Sequence, residues 1–301
     1  MKKDVLAISD LTKSEIEALL NRAIALKAGK DANTCPLIGK NIGLFFEKPS
    51  TRTRLSFEAG IYQLGGNAIC MTPDELQLGR GETIADTART ISRYLNACMM
   101  RTFSHTTLEA LAAHSTIPVI NGLSDVHHPC QALADVMTLL EKKGNLEGLK
   151  LAFIGDGNNV CNSLIEAASV LGFHLTIACP EGFEPHNEIL ERSRALAKSE
   201  IVVLRDPREA AGMADALYTD VWVSMGQEKE AEHKKNKFRE YQINEKLLSC
   251  AKNDAIVLHC LPAHRGEEIT DGVMDGPHSV VFDQAENRLH TQKALLEMLV
   301  K

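Results

Sequence analysis

Short runs of apolar residues alternate along this chain with longer segments in which apolar residues recur every three or four positions. The short runs are typical of buried strands, and the longer period is typical of amphipathic helices. In the first half we predict strands at 41–46, 68–71, 97–101 and 118–121. We predict helices at 52–65, 83–96, 106–114 and 131–143, after an opening helix whose Thr12 and Glu15 form a capping box.

The second half repeats this alternation. We predict strands at 150–154, 174–179, 201–204, 216–221, 255–259 and 279–282. We predict helices at 158–171, at 185–199 and from 284 onward. Strands that alternate with helices indicate parallel sheets covered on both faces, so each half is expected to form its own α/β sheet.

A helix stop marks the division between the halves. Lys142 and Lys143 precede Gly144. A basic last turn followed by glycine is expected where a helix ends. We therefore predict an α/β protein of two domains, each a parallel β-sheet flanked by helices, with the active site in the cleft between them. The first domain is predicted at 1–145 and the second at 146–286, and the closing helix 287–301 is predicted to pack back on the first.

Composition narrows the class of protein. The chain has 301 residues, and 33 Lys and Arg against 40 Asp and Glu give a net charge of −7. That balance disfavours a nucleic-acid or anionic-membrane partner, and no segment approaches the run of about 18 apolar residues that a membrane span needs. Eight scattered cysteines without a C-x-x-C pair indicate a reduced, cytoplasmic protein.

A polar turn after the first strand has the chemistry of an anion site. Its residues are Ser50, Thr51, Arg52, Thr53 and Arg54, and they open the next helix. A helix start offers backbone N–H groups and the positive end of the helix dipole, and an arginine can bind phosphate through two bonds. The alternative is an ordinary Ser/Thr helix cap with solvated arginines, which we favour less for this motif than for a lone Ser-Thr pair.

The segment 46–58 closely resembles the carbamoyl-phosphate signature of the aspartate/ornithine carbamoyltransferase family. The similarity extends from about residue 5 to the end of the chain. The resemblance implies the following carbamoyl-phosphate ligands: Ser50, Thr51, Arg52, Thr53, Gln77, Arg101, His128, Gln131, Cys260, Leu261 and Arg288. It also implies that Gln77 reaches the site of a neighbouring subunit, and that the protein is a homotrimer or a multiple of trimers.

Two motifs of the second half contain the residues that are expected to bind the amino-acid substrate. Gly155 and Gly157 form a partial dinucleotide fingerprint whose third glycine is replaced by Val160. The resemblance instead implies that Asn159 binds the amino acid, together with Asp220, Ser224 and Met225 in a segment like the family's ornithine-binding loop. The charged segment 226–241 that follows is predicted to close as a lid, the alternative being a solvated helix or loop.

The segment 259–262 is the second specific mark of the family. It reads His259, Cys260, Leu261 and Pro262, where the aspartate-specific members carry proline in place of Cys260. The thiol is expected to position an amine, although by residue type alone a buried cysteine is the more ordinary interpretation. The pairing of histidine with cysteine also suggests zinc, but the ligand spacing fits no known site, and we expect neither a metal nor a cofactor.

The resemblance implies transfer of the carbamoyl group of carbamoyl phosphate to the δ-amine of L-ornithine, giving L-citrulline and phosphate. The expected catalytic residues are Arg52, Arg101, His128 and Cys260. Three alternatives remain open at this point. The amine could be putrescine or N-acetylornithine, the glycine turn could serve a nucleotide-dependent oxidoreductase, or the chain could be a catalytically silent binding subunit.

Overall fold

The chain folds into two units. The structure is a computed structural model, and it describes residues 3–30, 34–72, 74–75, 81–223 and 231–300. Its residues group into two compact units, one formed by Met1–Ala134 with Glu286–Lys301 and the other by Asp135–Ala285.

The sheet of the first unit has four parallel strands in its described part, in the order β2-β1-β3-β4. These strands are β1 (Asn41–Phe46), β2 (Asn67–Met71), β3 (Ala97–Arg101) and β4 (Val119–Leu123). The residues of β3 are all buried, as expected for a strand covered on both faces. Phe46 is in register with Arg101, so β1 and β3 end at the same edge of the sheet.

Helices precede, connect and follow these strands. They are α1 (Lys13–Lys27), α2 (Thr51–Gln63), α3 (Ile84–Ile91), α4 (His105–His114) and α5 (Pro129–Lys143). The predicted capping box of α1 is confirmed: Thr12 Oγ1 accepts a bond from Glu15 N, and Thr12 N donates to Glu15 Oε2 at 2.9 Å. Each such bond satisfies a backbone N–H that the first helical turn leaves without a partner.

In the second unit, the described residues form five parallel strands in the order β7-β6-β5-β8-β9. These strands are β5 (Lys150–Ile154), β6 (His174–Ala178), β7 (Ile201–Leu204), β8 (Ala216–Thr219) and β9 (Ile256–His259). The connecting helices are α6 (Asn159–Leu171), α7 (Asn187–Leu196), α8 (Pro207–Ala211), α9 (Ala231–Phe238), α10 (Glu245–Leu248) and α11 (Asp271–Met274). The prediction of an α/β protein with two parallel sheets is thus confirmed.

One predicted strand is wrong. We expected a strand at 279–282, but α12 (Val281–Leu299) already begins within that range. Ser279 alone forms an isolated parallel bridge with Val257. The apolar run at 279–282 is too short for periodicity to separate a strand from the first turn of a buried helix.

The two units divide inside helices. The first boundary falls within α5, whereas the sequence places the domain boundary after that helix, and the second falls within α12. The C-terminal residues contact the first unit through Lys27 Nζ, which donates to Asn287 Oδ1 at 2.7 Å, and through an ion pair of Arg22 with Glu297. The predicted bounds of the functional domains stay a prediction. Among the described residues, no helix is both long enough and apolar enough to cross a bilayer.

Candidate active site

The first candidate site begins where β1 ends and α2 starts. Ser50 is the N-cap of α2, and its hydroxyl accepts a bond from Thr53 N at 3.2 Å. This cap turns the chain so that Thr51 and Arg52 occupy the first helical turn, where N–H groups point outward. Arg54 is directed elsewhere, because its Nε donates to Glu58 Oε1 at 2.9 Å on the exposed face of α2.

Arg288 of α12 contacts two other predicted residues of the first unit, one on α5 and one on α2. Its Nη1 donates to Gln131 Oε1 at 2.6 Å, and its Nη2 donates to Thr53 Oγ1 at 3.1 Å. Arg288 is only 2% exposed. A buried guanidinium held by neutral oxygens keeps its full positive charge, so it contributes an electropositive field at the start of α2.

His128 lies in this field. Burial lowers the pKa of His128 well below its usual range, and the cations of Arg288, Arg101, Arg52 and Lys48 lower it further. The imidazole is therefore neutral at physiological pH and can donate one hydrogen bond without giving up a charge. Four cations that influence one buried ring form a strongly basic patch in a chain whose net charge is −7.

Lys48 is a member of this patch that our sequence reasoning missed. Its side chain is buried, and its Nζ lies 4.5 Å from the centroid of the Phe103 ring. Burial and the charge of Arg101 lower the pKa of Lys48. The available signal was its place in the polar turn directly after β1, where a charged side chain falls at the ligand-binding edge of a parallel sheet.

A cavity of about 680 Å³ opens beside this turn. Lys48, Ser50, Thr51 and Arg54 line it, as does Cys70, which we did not predict as a site residue. Cys70 donates to Glu58 Oε1 at 2.7 Å, and burial together with this carboxylate raises the pKa of the thiol to about 12. The cavity therefore shares the start of α2 with the basic patch, and the Cys70 thiol that also lines it is protonated at neutral pH.

The second candidate site lies at the carboxyl ends of the strands of the second unit. Asp220 follows β8, and its carboxylate accepts bonds from Asn158 Nδ2 at 2.6 Å, Val221 N at 2.8 Å and Cys260 Sγ at 2.7 Å. Asp220 and Cys260, which were predicted separately as site residues, are thus in contact. The role of Asn158 was missed, because its neighbour Asn159 was the residue that the resemblance selected.

Asn158 also determines how α6 begins. Its Oδ1 accepts bonds from Val160 N at 3.0 Å and Cys161 N at 3.1 Å, which caps the helix. Gly157 precedes it where a Cβ would lie 2.2 Å from Pro185 N, so only glycine fits. The spacing of Gly155 and Gly157 therefore reflects a close backbone approach as well as a tight turn. Asn159 is half-buried in the first turn of α6.

The segment after β9 is braced by a buried pair. His259 Nδ1 accepts a bond from Leu261 N at 2.8 Å, so the ring proton lies on Nε2, which donates to Glu268 Oε1 at 3.0 Å. The same oxygen accepts a bond from His264 N at 2.5 Å. Leu261 adopts a φ of 57°, an unfavourable region for a residue with a Cβ, and its bond to His259 helps to hold it there.

The ligand atoms of Asp220, His259 and Cys260 all lie within 4.8 Å of one another, which revives the zinc interpretation that the sequence raised. Both nitrogens of His259 are already engaged in the hydrogen bonds described above. A metal ion would have to displace one of them. The hydrogen bonds of His259 therefore stabilise the segment that carries Cys260, and this role fits the three side chains better than a metal site does.

Three predicted site residues lie outside the described residues. They are Gln77, Ser224 and Met225. The first part of the predicted lid, 226–230, lies outside as well, whereas α9 covers most of its remainder.

Comparison with known proteins agrees with the family resemblance described in the sequence analysis. Residues 3–141 match the family described as aspartate/ornithine carbamoyltransferase, carbamoyl-P binding domain. Residues 147–299 match the family described as aspartate/ornithine carbamoyltransferase, Asp/Orn binding domain.

Similar proteins span the whole chain. A protein of Syntrophus aciditrophicus named ornithine carbamoyltransferase is 58% identical over 302 residues, which cover 100% of both chains. One of the same name from Anoxybacillus flavithermus is 54% identical over 99% of this chain and 96% of the relative. The solved structure of ornithine carbamoyltransferase from Pyrococcus furiosus has a TM-score of 0.95 and 50% identity, covering 99% of this chain and 97% of that chain. The chain belongs to the aspartate/ornithine carbamoyltransferase family.

Proposed function

We propose that this protein is an ornithine carbamoyltransferase, which transfers the carbamoyl group of carbamoyl phosphate to the δ-amine of L-ornithine and releases L-citrulline and phosphate. The observation that carries the proposal is the basic patch around the neutral His128, formed by Arg52, Arg101, Arg288 and Lys48. A dianionic acyl phosphate matches such a patch, and the relatives named above bear the name of this activity.

In the proposed reaction, the first unit holds carbamoyl phosphate. Ser50, Thr51 and Arg288 bind the phosphate at the start of α2, and Arg288 also contacts Thr53 and Gln131. Gln131 binds the carbamoyl group. Arg52, Thr53, Arg101 and His128 face the carbonyl oxygen, where negative charge develops as the amine attacks. Donors held in place before the reaction stabilise such charge without reorganisation, and each one typically contributes about 10²–10³-fold in kcat.

The second unit holds ornithine in this scheme. Asp220 accepts the α-ammonium, Asn159 binds the other polar groups of the amino acid, and the Cys260 thiol positions the δ-amine. Ser224 and Met225 are proposed to complete this set, and Leu261 with Cys260 to contact the carbamoyl group. An α-ammonium needs a charged partner, so a buried Asp220 favours ornithine over N-acetylornithine, whose α-amine is acylated. Putrescine keeps both amines and lacks the α-carboxylate, so its exclusion depends on the groups proposed to bind that carboxylate.

The chemical step needs a neutral amine. An alkyl ammonium with a pKa near 10.4 is mostly charged at neutral pH, and stripping its water beside the arginines lowers that pKa. The nitrogen then attacks the carbonyl carbon, the bond from that carbon to the phosphate oxygen breaks, and the phosphate leaves with the proton that the amine gives up. No covalent enzyme intermediate is required.

We further propose that the protein acts in the cytoplasm as a homotrimer in which Gln77 reaches a neighbouring subunit's site. The compartment is supported by the cysteines, since all eight lie in described residues and none is in a disulfide. Light scattering coupled to gel filtration measures the assembly. A monomeric mass in an active preparation would contradict the shared site.

The decisive experiment supplies carbamoyl phosphate with ornithine, aspartate, putrescine or N-acetylornithine in parallel and measures the ureido product. We expect turnover with ornithine and at least about a hundredfold lower kcat/KM with the other amines, because each lacks a group that the site pairs. Turnover of putrescine or N-acetylornithine at the ornithine rate would overturn the assignment of the amine. An absence of ornithine turnover would overturn the function itself.

A further inference from the structure

Lys234 on α9 is a buried cation that the proposed mechanism does not use. It is 4% exposed, and its Nζ lies 2.7 Å from Asp156 Oδ2. The same ammonium lies 5.2 Å from the centroid of the Phe183 ring. Burying a lysine ammonium costs free energy unless an opposite charge compensates it. The buried pair of Lys234 and Asp156 therefore indicates a role beyond packing.

Asp156 occupies a turn that has little room to move. It stands between Gly155, whose φ is 145°, and Gly157, whose N–H donates to Phe183 O at 2.9 Å. Pro185 closes the space beside Gly157, as described above. A displacement of the Asp156 carboxylate therefore shifts the whole turn.

That turn leads directly to the group that holds Asp220. Asn158 donates to Asp220 Oδ2 at 2.6 Å, so a shift of the turn moves a ligand of the Asp220 carboxylate. The two carboxylates also repel each other: burial raises the pKa of Asp156, the charge of Asp220 raises it further, and Lys234 counteracts both. Two acids and one lysine thus form a compact set with a net charge of −1 when all three are ionised.

We propose that Lys234 is a positioning residue for the amino-acid substrate, because its ion pair with Asp156 balances the charge beside Asp220 and keeps Asp220 where an α-ammonium can bind. The inference rests on the proposed function, in which Asp220 binds that ammonium. Lys234 acts through Asp156 and does not itself contact ornithine. Without Lys234, the Asp156 carboxylate is buried beside a like charge, and because the turn is tightly held, any displacement of Asp156 also displaces Asn158 and the Asp220 carboxylate that it contacts.

The test compares Lys234→Met, Lys234→Arg and the double variant Asp156→Asn/Lys234→Met with the wild-type enzyme. Lys235→Met is the matched control, since Lys235 is the next residue of α9 and pairs with Glu267 on the exposed surface. For each protein the KM of ornithine, the KM of carbamoyl phosphate and kcat are measured. Competition by L-2-aminopentanoate, which is ornithine without its δ-amine, reports binding of the α-amino acid group alone.

We expect Lys234→Met to raise the KM of ornithine and the inhibition constant of L-2-aminopentanoate about tenfold or more, with the KM of carbamoyl phosphate unchanged. Lys234→Arg and Lys235→Met should stay within about threefold of the wild type. The double variant should recover most of the lost affinity, because it removes the surplus carboxylate charge along with the lysine. If Lys234 only anchored α9 and did not balance charge, the double variant would show no such recovery.

The inference is overturned by an ornithine KM of Lys234→Met within about twofold of the wild type, by an equal rise in both KM values, or by a double variant no better than the single one. These outcomes presuppose an active wild-type enzyme. A wild-type protein that forms no citrulline contradicts the proposed function instead, so the two failures are distinguishable.

Discussion

Arg288 donates a hydrogen bond to Thr53 Oγ1 at 3.1 Å, although 235 residues separate the two in the chain. Thr53 lies in the first turn of α2, and Arg288 lies in the C-terminal helix α12. The contact joins the first polar motif of the chain to its last, and it places a permanent positive charge at a helix start that already favours anions.

Replacing Arg288 by lysine should weaken carbamoyl-phosphate binding. Lysine keeps the charge but cannot reach both Gln131 Oε1 and Thr53 Oγ1 with one planar group. We expect the KM of carbamoyl phosphate to rise about tenfold to a hundredfold in Arg288→Lys, measured by steady-state kinetics at saturating ornithine. Arg89→Lys, an exposed arginine of α3, is the control, and an unchanged KM in Arg288→Lys would refute the assignment.

The neutral state of His128 predicts a pH dependence of stability. Because its pKa is lowered well below the usual 6.5 in the folded protein, the unfolded chain binds a proton that the folded chain does not. The free energy of unfolding should therefore fall as the pH drops below about 6.5, by up to about 1.4 kcal/mol per pH unit from this group. Above that pH the group contributes no slope.

Urea unfolding at about pH 7.5 and about pH 5.5 measures this effect. His128→Asn, which has no titrating ring, should lose less free energy of unfolding between these two conditions than the wild type. His114→Asn, which removes an exposed imidazole at the end of α4, is the control for a general histidine effect. Equal losses in the wild type and in His128→Asn would show that His128 is not held neutral.

The thiol of Cys260 is expected to act by position. Because its Sγ donates to Asp220 Oδ1 at 2.7 Å, Cys260→Ala should lower kcat/KM for ornithine about tenfold to a hundredfold, with Cys260→Ser in between. Cys250→Ser, whose thiol lies at the end of α10, is the control. A loss above about 10⁴-fold in Cys260→Ser would instead indicate a covalent nucleophile.

Removing the Glu268 carboxylate should destabilise the protein. Glu268 and His259 have fully buried side chains, and Glu268→Ala leaves both His259 Nε2 and His264 N without this acceptor. We expect a loss of about 2–5 kcal/mol in the free energy of unfolding by urea. Glu268→Gln keeps an acceptor and should lose less, and Glu267→Gln at the neighbouring half-buried position is the control. Equal stability of Glu268→Ala and the wild type would contradict the proposed brace.

Much of the fold could be predicted because the spacing of apolar residues is a local property. The β1 strand and the capping box at Thr12 and Glu15 follow from residues that are adjacent in the chain. The error at 279–282 has the same origin, since a short apolar run fits a strand and the buried start of α12 equally well.

Parts of the site could not be predicted from the order of residues. The position of Lys48 directly after β1 is its only signal in the sequence, and its burial against Phe103 is what places it in the basic patch. In the sequence, Asn158 resembles any helix cap. Its second role is visible only in the structure, where its Nδ2 donates to Asp220, 62 residues further along the chain. The roles that the resemblance implies for Gln77, Ser224 and Met225 stay predictions.

The amino-acid sequence alone determined the alternation of strands and helices, the polar turn at 50–54 and the family, because local periodicity and short motifs depend on adjacent residues. The neutral state of His128 depends on packing, since desolvation and the charges of residues far apart in the chain combine there. The pairs Arg288–Thr53, Cys260–Asp220 and Lys234–Asp156 likewise exist only after the parallel strands have brought their carboxyl ends and the following turns together. Contacts between distant residues are a property of the folded chain, and they decide which charges each side chain experiences.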